Sequence, residues 1–164
     1  MYKAIVFDFS RVLLFPKETT YAGSLNEKHK ALSKKPNYHL LEHFSLNEQL
    51  LERLSTLKPK HRFFIFTSET IQDDPSLHPY LSPLFDGIYS AMKLEIDKKV
   101  PSSYKTLAKE IGLDPKKIIY VDDNLENITA AQKAGMECIH YKNNAQLLGQ
   151  LLRTISPTSS TSDI

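Results

Sequence analysis

Apolar positions along the chain fall into two alternating rhythms. Short continuous apolar runs at residues 2–7, 62–66, 87–89, 117–121 and 137–140 predict strands, as in a sheet buried on both faces. Between them the apolar residues recur at helical spacing. Leu46, Leu50, Leu51, Leu54 and Leu57 form one stripe, which predicts a helix over residues 46–57 with Ser45 as its N-cap. A short helix is expected at 79–85. Proline at the first position and Gly112 just past the end bracket a helix at 101–111. Two more helices are expected, at 125–134, closed by Gly135, and at 144–154.

Strands alternating with helices predict an α/β fold, a doubly wound three-layer parallel sheet of Rossmann type with helices on both faces. Residues 16–44 break the rhythm and read as a small insertion, too short to be a domain of its own. The expectation is therefore one domain over residues 1–155. Residues 156–164 are almost wholly polar and cannot bury enough surface to order themselves, so a disordered tail is expected there.

Composition narrows the function classes. A chain of 164 residues can bury roughly two thirds of its unfolded surface in a single core. A net charge of +2 with scattered lysines carries no nucleic-acid footprint, and the basic stretch at 28–35 reads as a solvated helix face. The single cysteine, Cys138, has no disulfide partner and reads as a small core residue in a reducing compartment. No apolar run nears the ~20 residues that cross a bilayer, and no leader pattern opens the chain. A cytoplasmic protein without membrane or nucleic-acid partners is expected.

The candidate chemistry lies where strands end in acids. Asp122 and Asp123 directly follow the run 117–121, and Asp8 follows the run 2–7. In α/β proteins the carboxyl edge of the sheet is where ligands bind. Carboxylates that close together repel unless a cation or a proton intervenes, so Asp8, Asp122 and Asp123 suggest one divalent-metal site. Other polar clusters read as structure. His39 and His43 have a zinc-like spacing but no third ligand nearby, and Asp73-Asp74 before Pro75 reads as turn chemistry.

Taken in order, these segments resemble the haloacid dehalogenase superfamily of phosphohydrolases. Its first motif, a strand running into Asp-x-Asp-Gly-Thr/Val, corresponds to Asp8-Phe9-Ser10-Arg11-Val12. Its second, a hydroxyl residue closing the next strand, corresponds to Thr67, followed by Ser68. Its third, a lysine ahead of a helix, corresponds to Lys98 in the stretch 98–104, with Lys99 beside it. Its fourth, Asp-Asp-x-x-x-Asn, corresponds to Asp122, Asp123 and Asn127. The resemblance implies Asp8 as the nucleophile that forms an aspartyl-phosphate. It also implies Mg²⁺ held by Asp8, the backbone carbonyl of Ser10 and the acidic pair, with Asp123 as the direct ligand and Asp122 and Asn127 supporting it. Thr67 and Lys98 would bind the phosphoryl oxygens, with Ser10, Arg11 and Ser68 lining the substrate site.

Two departures bear on activity. Ser10 stands where the family's second motif-one aspartate acts as general acid and base, and a hydroxyl cannot trade protons near neutral pH. Arg11 replaces the following glycine and either clamps a substrate anion or fills space. The implied function is Mg²⁺-dependent hydrolysis or transfer at a phosphate ester of a small molecule or macromolecule, slowed by Ser10. An idle relative that binds a phosphorylated ligand or protein, and a dehalogenase-like hydrolase of non-phosphate substrates, remain as alternatives. A cap as short as residues 16–44 would leave the site open to a bulky substrate or to cover from a partner subunit.

Overall fold

The computed structural model describes residues 1–156. Beyond Ser156, the tail expected at 156–164 lies outside the described residues. The elements in chain order are β1 (Ala4–Phe7), β2 (Leu14–Pro16), α1 (Leu25–Leu32), α2 (Leu40–His43), β3 (Phe44–Leu46), α3 (Glu48–Ser55) and β4 (Arg62–Thr67). They continue with α4 (His78–Leu81), β5 (Gly87–Ser90), α5 (Pro101–Ile111), β6 (Ile118–Asp122), α6 (Leu125–Lys133), β7 (Glu137–His140) and α7 (Asn144–Ile155).

Five strands form one parallel sheet in the order β5-β4-β1-β6-β7. Side chains alternate across its two faces, as the period of a strand requires. Ile5, Phe7, Phe63, Ile65, Ile119 and Val121 face one core with α3 and α7. Ala4, Val6, Phe64, Phe66, Ile118 and Tyr120 face the other with α5 and α6. Two cores on one sheet make the three-layer α/β architecture expected from the alternation. From β1 the chain moves to β4 and β5, then crosses back to β6 on the other side of β1. The strand order therefore reverses between β1 and β6, the crevice where open α/β sheets bind ligands.

Some boundaries differ from expectation. The first strand begins at Ala4 rather than at residue 2. The helix expected at 46–57 spans only Glu48–Ser55, and its cap is Asn47, not Ser45: the Asn47 side chain accepts from the Leu50 N–H at 3.3 Å. Ser45 lies in β3, which pairs antiparallel with β2. Asn47 wins because it also donates to the Val12 carbonyl at 2.9 Å and to Asn144 Oδ1 at 2.8 Å, tying α3 to the loop after β1 and to α7. The helix expected at 79–85 stops at Leu81, since Pro83 has no N–H to continue it. The α1 lysines are not simply solvated. Lys28 pairs with Glu18 at 2.5 Å and sits over the Tyr21 ring, while Lys30 pairs with Glu69. Cys138 is half-buried: it packs against the core shared with α5 and α6, but from the edge strand β7, which has a neighbouring strand on one side only. His43 stacks on Tyr38, and Asp74 accepts from the Ser76 N–H at 3.0 Å, both as structural side chains. Among the described residues no helix is long and apolar enough to cross a membrane.

Candidate active site

Strand register brings the acids together. Phe7 pairs with Val121, so Asp8 and Asp122 leave adjacent strands side by side, and the Asp8 N–H donates to the Val121 carbonyl at 2.8 Å. Asp8, Asp122 and Asp123 each offer a carboxylate oxygen within 4.8 Å of the others. Two distant stretches of chain thus form one acidic cluster at the strand-order reversal.

Lys98 is inserted into this cluster from the loop ahead of α5. Its Nζ donates to Asp8 Oδ1 at 2.7 Å and to the Phe66 carbonyl at 3.1 Å, and lies 3.1 Å from Asp122 Oδ2. The rings of Phe66 and Tyr120 flank the ammonium, with centroids 5.3 and 5.8 Å away. Burial alone would pull its pKa down, but the facing Asp8 and Asp122 carboxylates outweigh that and hold it above its ordinary value. The Tyr104 hydroxyl donates to the Lys98 carbonyl at 2.8 Å, so α5 fixes the backbone that presents the ammonium.

The two acids of the pair have different surroundings. Asp122 is fully buried. Beyond Lys98 it accepts from the Tyr120 hydroxyl at 2.5 Å, from Asn127 Nδ2 at 3.0 Å and from the Asn124 N–H at 2.8 Å. Its oxygens are well occupied by protein, which suits an anchoring acid. Asp123 is half-buried and lines the cavity, its pKa raised first by burial and then by Asp122. The Asp123 carbonyl is held by His140 Nε2 at 2.9 Å, which steadies the turn into α6. Burial also pushes the Asp8 carboxyl up to about 7, with Lys98 opposing the rise and Asp122 adding to it.

Together these groups border a cavity of about 180 Å³ whose walls include Asp8, Ser10, Thr67, Ser68, Asp123 and Asn127. At ~30 Å³ per water it has room for roughly six, enough for a partly hydrated ion and a small anion. Thr67, 1% exposed, closes β4 beside Asp8, and Ser68 follows at the rim. The Ser10 hydroxyl is buried and has no hydrogen-bond partner among the described residues. Arg11 borders the cavity, but its guanidinium is engaged with protein. Nη2 donates to the Tyr21 and Gly23 carbonyls at 3.0 and 2.8 Å. Its backbone is left-handed (φ 63°), a conformation glycine adopts at lower cost, so the position departs from easy local chemistry to make this anchor.

The donor set suits a hard divalent cation. It consists only of oxygens, and opposite ligands of Mg²⁺ at ~2.1 Å lie about 4.2 Å apart, close to the observed span. Charge agrees in sense: three carboxyl groups face one ammonium, and a divalent cation would favour their ionised forms against the burial that raises the Asp8 and Asp123 pKa values.

Sequence reasoning missed several contributors. Tyr120 is two residues before Asp122 on the same strand, hence on the same face, and that spacing was a readable signal. Asn124 caps α6 through the Glu126 N–H at 2.9 Å. Ser24 and Asn26, from the insertion, also line the cavity, and no local pattern marked them. The insertion therefore does not leave the site bare.

A profile of the haloacid dehalogenase-like hydrolases matches residues 6–141, from β1 to the end of β7. The chain belongs to this family. Among curated relatives, the enolase-phosphatase E1 of Aquifex aeolicus is 33% identical over 100 residues, covering 57% of this chain and 44% of the relative. The sesquiterpene phosphatase astK of Aspergillus oryzae is 39% identical over 57 residues, covering 35% and 29%. The chain thus spans less than half the length of these relatives. Solved folds agree in shape across nearly the whole chain. A subfamily IA hydrolase of the superfamily from Geobacter sulfurreducens superposes with a TM-score of 0.68 at 15% identity, covering 92% of this chain and 96% of the other. A family enzyme from Bacteroides thetaiotaomicron, solved with magnesium and inorganic phosphate, gives 0.66 at 14% identity, covering 91% and 99%.

Proposed function

We propose that the protein carries out Mg²⁺-dependent phosphoryl chemistry on a phosphate ester, with Asp8 as the nucleophile. The observation that carries this reading is the Asp8–Lys98 pair at 2.7 Å, set beside Asp122 and Asp123 at the mouth of a polar cavity. Phosphoryl transfer asks mainly for positioning and charge compensation. Lys98 neutralises the nucleophile and the incoming phosphoryl oxygens together, and the Thr67 hydroxyl donates to one of those oxygens. Asp8, the Ser10 carbonyl and Asp123 would hold a divalent cation, which would add charge compensation when bound, while Asp122 orients Lys98 and Asn127. Attack by an Asp8 oxygen on phosphorus forms the aspartyl-phosphate and breaks the ester P–O bond; the leaving oxygen takes up a proton from solvent water, and a second water attacks phosphorus, breaks its bond to the Asp8 oxygen and frees inorganic phosphate. The phosphatase names of the curated relatives, and the magnesium and phosphate in the Bacteroides structure, support a phosphate ester as substrate.

Ser10 sets the rate. Among the described residues lining the cavity, the titratable side chains are Asp8, Arg11 and Asp123. Asp8 is the nucleophile, Asp123 a cation ligand and Arg11 a fixed cation. None is free to protonate the leaving group and then activate water, so formation and breakdown of the aspartyl-phosphate both lack a proton-transferring side chain. The unpartnered Ser10 hydroxyl favours a second reading, a phosphate-binding relative without turnover. Release of inorganic phosphate from an aryl phosphate, with and without Mg²⁺, tests the first reading against the Asp8→Asn variant. The expected result is Mg²⁺-dependent release that the variant lacks. Parent and variant releasing phosphate at the same rate would sink the enzymatic reading.

A further inference from the structure

The end of β7 meets the turn that carries the acidic pair, and one of its side chains has no part in the chemistry described so far. Register sets His140 beside Asp122. Both carbonyls of the acidic pair are held from this side. The Tyr141 N–H donates to the Asp122 carbonyl at 2.8 Å, and His140 Nε2 lies 2.9 Å from the Asp123 carbonyl. A carbonyl can only accept, so Nε2 carries the hydrogen and donates it. Asp122 is oriented through its carboxylate as well, by Tyr120, Asn127 and the Asn124 N–H. Asp123 is held through its main chain, and the reach of its carboxylate follows from that backbone.

His140 is itself fixed from α7. Gln146 Nε2 donates to the His140 carbonyl at 3.1 Å, and Gln146 Oε1 accepts from the Lys142 N–H at 3.1 Å, so one side chain clamps the backbone on both sides of residue 141. The His140 ring is half-buried and lines a cavity of about 380 Å³ between α6 and α7, distinct from the cavity that holds Asp8. It therefore reaches the site through the Asp123 carbonyl. Water can pair the carbonyl of a half-buried residue too. A ring anchored at its own backbone, unlike a water, also fixes the direction of the peptide plane.

We propose that His140 is a positioning residue for the cation site: its Nε2–H fixes the peptide plane after Asp123 and so aims the Asp123 carboxylate at the cation that Asp8 shares. The proposal rests on the Mg²⁺ reading above. Mg²⁺ demands near-ideal octahedral geometry, so a ligand whose backbone can rotate binds it less well than one held in place. Groups that orient a metal ligand without touching the metal commonly change affinity by about 10–100-fold when removed. The chain Gln146, His140, Asp123 thus carries the rigidity of α7 and β7 to the acidic cluster.

The test compares His140→Gln with His140→Met. The two side chains are similar in length and volume, and only glutamine keeps a donor near the position of Nε2. Titration calorimetry with Mg²⁺ alone gives the affinity of each protein, and metal-free melting curves report its fold. His140→Met is expected to bind Mg²⁺ about tenfold or more weakly than the parent, and His140→Gln to recover most of that loss. Equal affinities in the parent and His140→Met overturn the proposal, as do equally weak affinities in the two variants. A purely structural role would lower both melting points and leave the affinity of the folded protein unchanged, which also overturns it. Should His140→Met not fold, the contrast is read between His140→Gln and His140→Asn, whose amide is one methylene shorter. Weaker Mg²⁺ binding by the asparagine variant supports the proposal; equal binding overturns it. A parent that binds no Mg²⁺ overturns the cation reading together with this one, whereas a parent that binds it and variants that match the parent overturn this one alone.

Discussion

Replacing Lys98 by methionine tests the electrostatic account of the site directly. The methionine keeps most of the side-chain volume and removes the charge. Lys98 is 5% exposed, and its two carboxylate partners, Asp8 and Asp122, are 9% and 0% exposed at their side chains. Deleting one partner of a buried ion pair strands the other in a low dielectric, at a cost of about 3–5 kcal/mol. Here two carboxylates are stranded, and the Phe66 carbonyl loses a donor as well. Partial protonation of Asp8 offsets some of this, because its carboxyl already titrates near 7. The folded-state pKa of Asp8 lies above the ~3.9 of an unfolded aspartate. Its contribution to stability is therefore complete below about pH 4 and lost as pH rises through about 7. The variant should suffer more at pH 8 than at pH 6. With about 2–4 °C per kcal/mol for a domain of this size, the expected loss at pH 8 is roughly 6–20 °C. Thermal melts at both pH values, with and without millimolar Mg²⁺, provide the assay. Mg²⁺ should raise the variant's melting point more than the parent's, since it replaces missing positive charge. A variant that melts within about 2 °C of the parent at pH 8 and gains nothing from Mg²⁺ would refute the reasoning.

Three further outcomes follow from the same geometry. Ser10→Asp restores a proton-transferring group and should raise the rate of phosphate release by about 10²–10⁴; keeping Arg11 preserves the loop contacts, and no acceleration in a steady-state assay would remove Ser10 as the cause of slow turnover. Cation affinity should increase between pH 6 and pH 8 as Asp8 loses its proton, measured by titration calorimetry with Mg²⁺, and a flat profile would count against Asp8 as a ligand. Tyr120→Phe removes a buried donor to Asp122 and should cost about 1–3 kcal/mol, or roughly 2–12 °C in melting temperature; an unchanged melting curve would show that Asp122 does not need it.

Much of the layered architecture was legible because burial on both faces of a parallel sheet leaves continuous apolar runs such as Ile118–Val121, with helices announced by Pro101, Gly112 and Gly135. The acids were legible for a related reason: a charge at the end of an apolar strand has no place in the core. Local competition blurred the edges. Ser45 and Asn47 are both good caps, and the contacts of Asn47 with Val12 and Asn144 decided between them. Pro83 ended α4 early by a rule that the apolar pattern alone did not apply.

The linear order of residues by itself determined the strand-and-helix alternation, the acid-tipped strands and the family to which the chain belongs. These depend on side-chain type and near-neighbour spacing, which act within a few residues. Only the tertiary structure decided that Lys98 bridges Asp8 and Asp122, that Arg11 holds the 21–23 loop rather than facing a substrate alone, and that Asn26 reaches the cavity. Those contacts join segments tens of residues apart, and their energies exist only once the sheet register has set β1 beside β6 and folded the insertion over their ends.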